Sequence, residues 1–400
     1  MNKKRIIIVN NNLKVGGVQK SLINLLWTIQ DQYDVTLCLF SESGAYTENL
    51  PPRINVIASK GPFRYLGTSQ KECKNNFFDY IKRGVLALIC KIFGRSATLK
   101  LMLRYERILQ EEYDCAIAYL HNGREKSFYG GVQEYVLKCI EAKQKIAFLH
   151  CDYALSGANN LNNYQTITQF DSIVACSDGC KNSFLSIFPQ LEKKCVTVRN
   201  CNRYEEILKM ARIDTIVFNN DCINILTVSR LSNEKRIDRA ISACVKAIKA
   251  GYNISLHILG DGSLKNELQA LAERQGISDR VVFHGEQTNP YRFMYSADLL
   301  LISSSHEAAP MVIDEALSLG LPVLTTKTTS SHEMVTERHG GWVCENDDRS
   351  FESALLELLK DINALKAVSV NLKNNFKKFN NDDAVNAFNN VVTGAPNHQI

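Results

Sequence analysis

The chain alternates short runs of β-branched residues with longer amphipathic stretches, and it does so twice. Arg5–Asn10, Asp34–Phe40, Asn55–Ala58, Cys115–Tyr119, Lys145–Leu149, Ser172–Cys176 and Lys194–Val198 read as strands, with helical stretches such as Val18–Gln30 between them. A strand followed by a helix, many times over, requires a parallel sheet wrapped by helices, because only a crossover can return the chain to start a parallel neighbour. A polar, weakly periodic stretch over Arg203–Asp221 breaks the rhythm. The alternation then restarts with Asn224–Ser229, Ile254–Leu259, Arg280–Phe283, Asp298–Ile302 and Val323–Thr326, separated by helices such as Ile237–Ala250 and Leu264–Gln275. Two α/β domains are therefore expected, and 400 residues is more than a single core usually serves.

Composition narrows the class. Hydrophobic residues make up 45% and charged residues 22% of the chain, the balance of a folded globular protein and not of a disordered one. The longest apolar runs, such as Ile6-Ile7-Ile8-Val9, fall far short of the roughly 20 residues that span a bilayer, so no transmembrane helix is expected. The start Met1-Asn2-Lys3-Lys4-Arg5 leads into only those four apolar residues before Asn10, too few for an export signal. Thirteen cysteines without a CxxC pair or zinc spacing read as small buried residues in a reducing, cytoplasmic setting. Charge is uneven: residues 1–200 carry 26 Lys and Arg against 17 Asp and Glu, a net of +9, and the remainder carries −4.

Ligands of open parallel sheets sit beyond the carboxyl ends of the strands, so the residues there are the candidates for chemistry. After the first strand, Gly16 and Gly17 open a helix, either as a backbone approach to a phosphate or as a plain turn. After Asn224–Ser229 comes Arg230-Leu231-Ser232-Asn233-Glu234-Lys235, whose Arg230 and Lys235 are either a diphosphate clamp or part of a solvated loop. Gly260-Asp261-Gly262 and His284-Gly285 close the next two strands, as turns near a ligand or turns only. Ser303-Ser304-Ser305-His306-Glu307-Ala308-Ala309-Pro310 runs into Met311, Val312 and Glu315. Pro310 suits the first turn of a helix, which leaves Glu307 in the loop before it and Glu315 within it. Glu315 either meets a hydroxyl-bearing ligand or faces solvent. His150 follows Lys145–Leu149 at the ligand edge of the first sheet, as do Ser177 and Asn200 after their strands.

Taken in order, these motifs resemble the retaining glycosyltransferases of family 4. They run from Gly16-Gly17 through Arg230-Leu231-x-x-Glu234-Lys235 and Gly260-Asp261-Gly262 to Glu307-x7-Glu315, and include Gly285-x-x-x-Asn289-Pro290-Tyr291 and Glu315-Ala316-Leu317-x-x-Gly320-x-Pro322-Val323. The resemblance implies an α/β GT-B fold, in which two Rossmann-like parallel-sheet domains face each other across a donor-binding cleft. Residues 1–203 would form the acceptor-binding domain and 204–375 the nucleotide-sugar domain. Over 376–400 a C-terminal helix would return to the first domain and end in a tail. Glu307 would face the donor sugar, Glu315 the ribose, Arg230 and Lys235 the diphosphate, Gly16 and Gly17 the same diphosphate from the other domain, and His150 the sugar. Gly260, Gly262, His284, Gly285, Ala308, Ala309, Pro310, Met311 and Val312 would line the donor site. Two departures stand out: Ala308 replaces a common glycine, and Thr326 stands where an acidic residue is frequent.

The resemblance implies a retaining, metal-independent transfer of a hexose or N-acetylhexosamine from a UDP-linked donor to a saccharide or lipid-linked saccharide, in bacterial surface polysaccharide synthesis. No cofactor and no nucleic-acid partner is expected, and the chain has no Asp-x-Asp sequence. A sugar-nucleotide epimerase or phosphorylase of the same architecture, or a non-catalytic nucleotide-sugar-binding protein, are the alternatives. The basic residues Lys82, Arg83, Lys91, Arg95, Lys100, Arg104 and Arg107 face one acid, Glu106, and interleave with apolar residues as one or two helices broken near Gly94. This segment, 82–107, is expected to meet an anionic membrane surface, the alternative being that it packs on its own domain.

Overall fold

The computed structural model describes residues 3–219 and 221–394. The chain forms two compact units, one of Met1–Cys201 with Asn381–Ile400 and one of Asn202–Asn380. These divisions lie at 201/202 and 380/381, where the sequence pattern points to 203/204 and 375/376. Residues 395–400 of the expected tail lie outside the described residues.

The first unit holds a 7-stranded sheet of β1 (Arg5–Asn10), β2 (Asp34–Leu39), β3 (Asn55–Ala58), β4 (Glu112–Ala118), β5 (Glu141–Leu149), β6 (Ser172–Ala175) and β7 (Cys195–Thr197). Every pairing is parallel, in the order β3-β2-β1-β4-β5-β6-β7. Both faces of β1 are covered: Ile7 and Val9 enter one apolar cluster while Ile6 and Ile8 enter the other, and all four are fully buried. That is why the run has no polar alternation. The helix Asp382–Thr393 belongs to this unit, inserting Phe388, Val391 and Val392 beside Leu22 and Ile29. Its Asn389 Oδ1 accepts from the Tyr33 hydroxyl at 2.8 Å.

The second unit holds a 6-stranded sheet of β8 (Ile223–Val228), β9 (Ile254–Leu259), β10 (Val281–Gly285), β11 (Leu299–Ile302), β12 (Val323–Thr326) and β13 (Gly341–Cys344), all parallel in the order β10-β9-β8-β11-β12-β13. Leu299 and Leu301 point into one cluster and Leu300 and Ile302 into the other, so this sheet too is covered on both faces.

Three sequence expectations are corrected. The polar, weakly periodic stretch over Arg203–Asp221 contains a helix, Tyr204–Ala211, whose Ile207 and Ala211 join the core of the second unit. β10 runs through His284 and Gly285 and does not end before them. The segment 82–107 does break at Gly94, with φ of 88°, into helices Phe77–Phe93 and Arg95–Leu103, but Arg95 is not a surface cation. Its guanidinium is buried, bonding to Asn163 Oδ1 and to the Gly123 carbonyl at 3.3 Å, 3.7 Å from Glu125. The thirteen cysteines are thiols without a disulfide among them. No helix among the described residues is long and apolar enough to cross a membrane.

Candidate active site

Strand order reverses between β8 and β11, and the loops leaving these adjacent strands diverge to opposite faces, opening a crevice at their carboxyl ends. One loop carries Arg230 and Lys235, the other Glu307. Backbone and hydroxyl bonds join the two loops. Ser303 Oγ donates to the Lys235 carbonyl at 3.0 Å, and the Ser305 amide and hydroxyl both donate to the Glu234 carbonyl, at 2.8 and 3.1 Å. From behind, Thr326 Oγ1 donates to the Ser304 carbonyl at 2.6 Å and Asn346 Nδ2 to the Ser305 carbonyl at 2.7 Å. The buried Arg239 donates to the Ser303 carbonyl at 3.2 Å and to Asn346 Oδ1 at 2.9 Å. A loop with no regular structure is thus fixed at three successive carbonyls.

Within this frame Lys235 Nζ bonds Glu307 Oε1, and Ser304 Oγ donates to the same oxygen at 2.8 Å. The pair borders a small pocket lined also by Thr227, Ser229, Ser303, Ser304 and Val312. Arg230 stands out from the loop, its side chain 74% exposed and 3.4 Å from Glu234 Oε1. The two expected clamp cations therefore differ: Lys235 is held against a carboxylate, whereas Arg230 reaches into solvent.

Gly260 and Gly262 have a packing reason of their own. Gly260 takes φ of 132°, and a Cβ there would lie 1.9 Å from the Ser229 carbonyl oxygen; at Gly262 it would lie 2.3 Å from that of Leu231. Glycine lets the loop after β9 press against the loop after β8, where the Leu231 amide donates to the Asp261 carbonyl at 2.9 Å.

Pro310 precedes the helix Met311–Ser318, with Ala308 and Ala309 half-buried in the loop before it. Met311 is buried and Val312 half-buried at the first turn. Glu315 is 2% exposed, which removes the solvent-facing reading. Beside it, the buried Asp314 pairs with Arg338 and accepts from Asn202 Nδ2 at 3.4 Å. This second carboxylate escaped the sequence reading.

His284 turns to the face of the sheet. Its Nε2 lies 3.1 Å from His257 Nδ1, and His257 Nε2 lies 3.3 Å from Asn224 Oδ1. Asn224 Nδ2 donates to two carbonyls, so its Oδ1 is the acceptor, which puts the His257 proton on Nε2 and makes His284 Nε2 the donor to His257 Nδ1. The His284 ring also meets Phe293 edge-on at 4.8 Å. Burial, with the charge of the His284 ring adding to it, lowers His257 to about 4.

In the first unit, Gly17 begins the helix Gly17–Ile29, and a Cβ there would meet nothing within 4 Å; at Gly16 it would meet only the flexible end of Gln19. Ser21 of that helix bonds the Tyr119 hydroxyl at 2.8 Å and Asn200 Oδ1 at 2.7 Å. His150 follows β5 with its ring 4.6 Å from that of Tyr119. Its Nε2 is buried without a partner among the described residues, and burial lowers it to about 3. The paired residues Ala118 and Ala147 place His121, after β4, beside His150 in register. His121 was missed because the expected strand ended at Tyr119, although the same strand-end rule that found His150 applies to it. Ser177 caps the helix Asp178–Ile187, accepting from the Cys180 amide at 3.0 Å. Among the described residues no group of three or more His, Cys, Asp or Glu side chains is arranged to hold a metal ion.

Comparison with known proteins places this geometry. Residues 213–378 match the family model of glycosyl transferases group 1. The lipopolysaccharide core biosynthesis glycosyltransferase LpsD of Rhizobium meliloti is 29% identical over 128 residues, 32% of this chain. That match and two like it span only 36–39% of the relatives' own length. The N-acetylgalactosamine-N,N'-diacetylbacillosaminyl-diphospho-undecaprenol 4-alpha-N-acetylgalactosaminyltransferase of Campylobacter jejuni is 24% identical over 385 residues, 92% of this chain and 93% of its own. Among solved structures, Anabaena HepE in complex with UDP and glucose aligns over 98% of this chain and 100% of its own, with a TM-score of 0.67 at 15% identity. The match to glycosyl transferases group 1 covers residues 213–378, and the two units of the chain have the GT-B fold.

Proposed function

We propose that the chain is a retaining glycosyltransferase of family 4 that moves a hexose or N-acetylhexosamine from a UDP-linked donor to a saccharide or lipid-linked saccharide of a bacterial surface polysaccharide. The observation that carries this reading is the pairing of Lys235 with Glu307 on two loops fixed together at the reversal of strand order, with Glu315 buried in the helix that follows. A cation and a carboxylate at the rim of one small pocket suit a ligand that is anionic at one end and rich in hydroxyls at the other. The relatives' names support the class: one acts on a diphospho-undecaprenol-linked saccharide, another serves lipopolysaccharide core synthesis.

In the reaction the bond between the anomeric carbon and the diphosphate oxygen breaks, and the acceptor hydroxyl oxygen forms the new bond on the same face. The acceptor's proton passes to the departing diphosphate. Negative charge grows on that leaving group, and cations already in place stabilise it without reorganising. Arg230 and Lys235 fill this role, and two opposite charges about 4 Å apart interact by about 4 kcal/mol at an effective dielectric of about 20. Glu307 receives hydroxyls of the sugar, Glu315 those of the ribose, and no protein nucleophile is assigned.

The test is a thermal-shift panel of UDP, GDP, ADP and their sugars, followed by transfer to a diphospho-lipid-linked saccharide and analysis of the product's anomeric configuration. Stabilisation by UDP and an axial-to-axial product support the reading; a ligand at 100 times its Kd adds about 2.7 kcal/mol. Inversion at the anomeric carbon, or release of an altered sugar nucleotide without acceptor, overturns it.

A further inference from the structure

His121 and His150 stand side by side at the carboxyl edge of the first sheet, just past β4 and β5, where the pairing of Ala118 with Ala147 carries the register onto them. Both are half-buried, and within each ring the two nitrogens differ. His121 Nδ1 and His150 Nε2 are sealed from solvent and have no partner among the described residues. The other nitrogens, His121 Nε2 and His150 Nδ1, are not sealed.

This difference assigns the protons. Both rings are neutral at pH 7, burial being the main cause, with the charge of Arg95 adding to it for His121 and that of His121 for His150. A neutral imidazole carries its proton on one nitrogen only. A buried N–H without an acceptor is rarer in proteins than a buried acceptor left bare, so the proton of each ring belongs on its open nitrogen. Aromatic packing holds the rings. His150 lies 4.6 Å from the Tyr119 ring and 5.8 Å from that of Phe148, and His121 meets Tyr129 edge-on at 6.4 Å. His121 Nε2 and His150 Nδ1 are therefore two fixed N–H donors, and the lone pair that a general base would use faces inward on both rings.

Donors without acceptors select the oxygen they bind. A hydroxyl both gives and receives a hydrogen bond, and its own hydrogen would find no acceptor on these rings. An anion would gain no compensating charge from two neutral imidazoles. A carbonyl oxygen carries no hydrogen, takes two hydrogen bonds and is neutral. We infer that His121 and His150 form a two-donor site for the acetamido carbonyl of a substrate sugar, distinguishing an N-acetylhexosamine from a hexose. That the ligand is a sugar rests on the proposed function; the assignment of the protons does not. The acetamido group belongs to the donor or to the acceptor, and the experiment separates the two.

The first measurement is imidazole nitrogen NMR on the full chain at pH 7. It is expected to find the proton on Nε2 of His121 and on Nδ1 of His150, and the opposite tautomer at either overturns the inference. UDP-N-acetylglucosamine and UDP-N-acetylgalactosamine then probe the donor source, and the methyl glycosides of the same sugars the acceptor source, each against its hexose counterpart and against inorganic phosphate. For one source the acetamido sugar shifts both imidazole signals and binds about tenfold tighter than the hexose, about 1.4 kcal/mol. Equal response to the hexose, response to phosphate instead, or response to no sugar overturns the site. Transfer assays add the variants. A Gln amide nitrogen sits where Nε2 does and an Asn amide nitrogen where Nδ1 does. His121→Gln and His150→Asn should therefore keep the preference for the acetamido sugar, and His121→Asn and His150→Gln should lose it, a split that a packing role alone would not produce. A preference kept by all four variants, or lost alike in all four at unchanged melting temperature, overturns the inference. Absence of transfer from any nucleotide sugar overturns the proposed function instead, and the NMR titration still decides the site.

Discussion

Lys235 and Glu307, 72 residues apart in the chain, form an ion pair whose side chains are only 17% and 13% exposed. The sequence reading gave them separate partners, a phosphate for one and a sugar hydroxyl for the other. Their contact makes the two roles interdependent. Whatever engages Lys235 also alters what Glu307 can accept, and removing either charge leaves the other largely desolvated.

Glu307→Gln is therefore expected to abolish sugar transfer while strengthening the binding of free UDP, by up to about tenfold, or about 1.4 kcal/mol. The neutral amide releases Lys235 to the diphosphate. Isothermal titration checks this, and weaker UDP binding by the variant would refute the division of roles.

The neighbours Asp314 and Glu315 should separate cleanly. Glu315→Ala removes a charged acceptor and weakens UDP binding by about 1.5–3 kcal/mol. Asp314→Asn instead loosens the contact with Arg338, lowering thermal stability by about 1–3 kcal/mol with little change in UDP affinity. A denaturant melt and a titration on each variant suffice, and the converse pattern would exchange the two assignments.

Strands such as Arg5–Asn10 and Leu299–Ile302 were legible because sheets buried on both faces need continuous apolar runs. β13 was not, since Gly341-Trp342-Val343-Cys344 is short, half-buried and opens on glycine. Tyr204–Ala211 hid for a similar reason: its apolar side is two or three residues wide within a polar stretch. The site was legible wherever it follows a strand end and opaque wherever it depends on contact. Nothing local distinguishes Arg95, buried on Asn163, from the exposed Lys91 four positions earlier. No spacing announces that Asn346 holds a carbonyl 41 residues away.

That hold supports a further prediction. Asn346→Ala removes the donor to the Ser305 carbonyl, and Thr326→Val the donor to the Ser304 carbonyl, freeing the loop that aims Glu307. Misplacing a reacting group by about 1 Å lowers rate by about 100-fold. Both variants should lose kcat by about that factor and keep their UDP affinity, because Glu315 sits on a separately anchored helix. Stopped-assay kinetics with saturating donor reads this; equal losses in kcat and in UDP binding would mean that the loop merely supports the fold.

On the proposed function, transfer should persist in excess EDTA and fall by orders of magnitude in Arg230→Ala or Lys235→Ala, since the two cations would then supply the charge that a metal otherwise provides. Activity lost to EDTA and restored by manganese or magnesium would show that the clamp is insufficient.

Acid should weaken the fold through its buried histidines. Burial lowers His121 and His257 to about 4 and His150 to about 3, from an ordinary value of 6.5. Below pH 6.5 the unfolded chain takes up protons that the folded chain refuses, so unfolding becomes progressively easier as pH falls toward 4. The loss runs opposite to that of a histidine with an acidic partner, which gains stability in the same range. For His257 the cause is specific: its Nδ1 accepts from His284 and its Nε2 donates to Asn224, so a second proton would break the bond to His284 inside the sheet. Chemical denaturation at pH 7 and pH 5 should show lower stability at the acid value. His257→Gln should reduce that pH difference, because one of the refusing sites is gone, even if its stability at pH 7 is lower. Stability that is flat between these two values in the wild type would show that the histidines titrate normally in the fold.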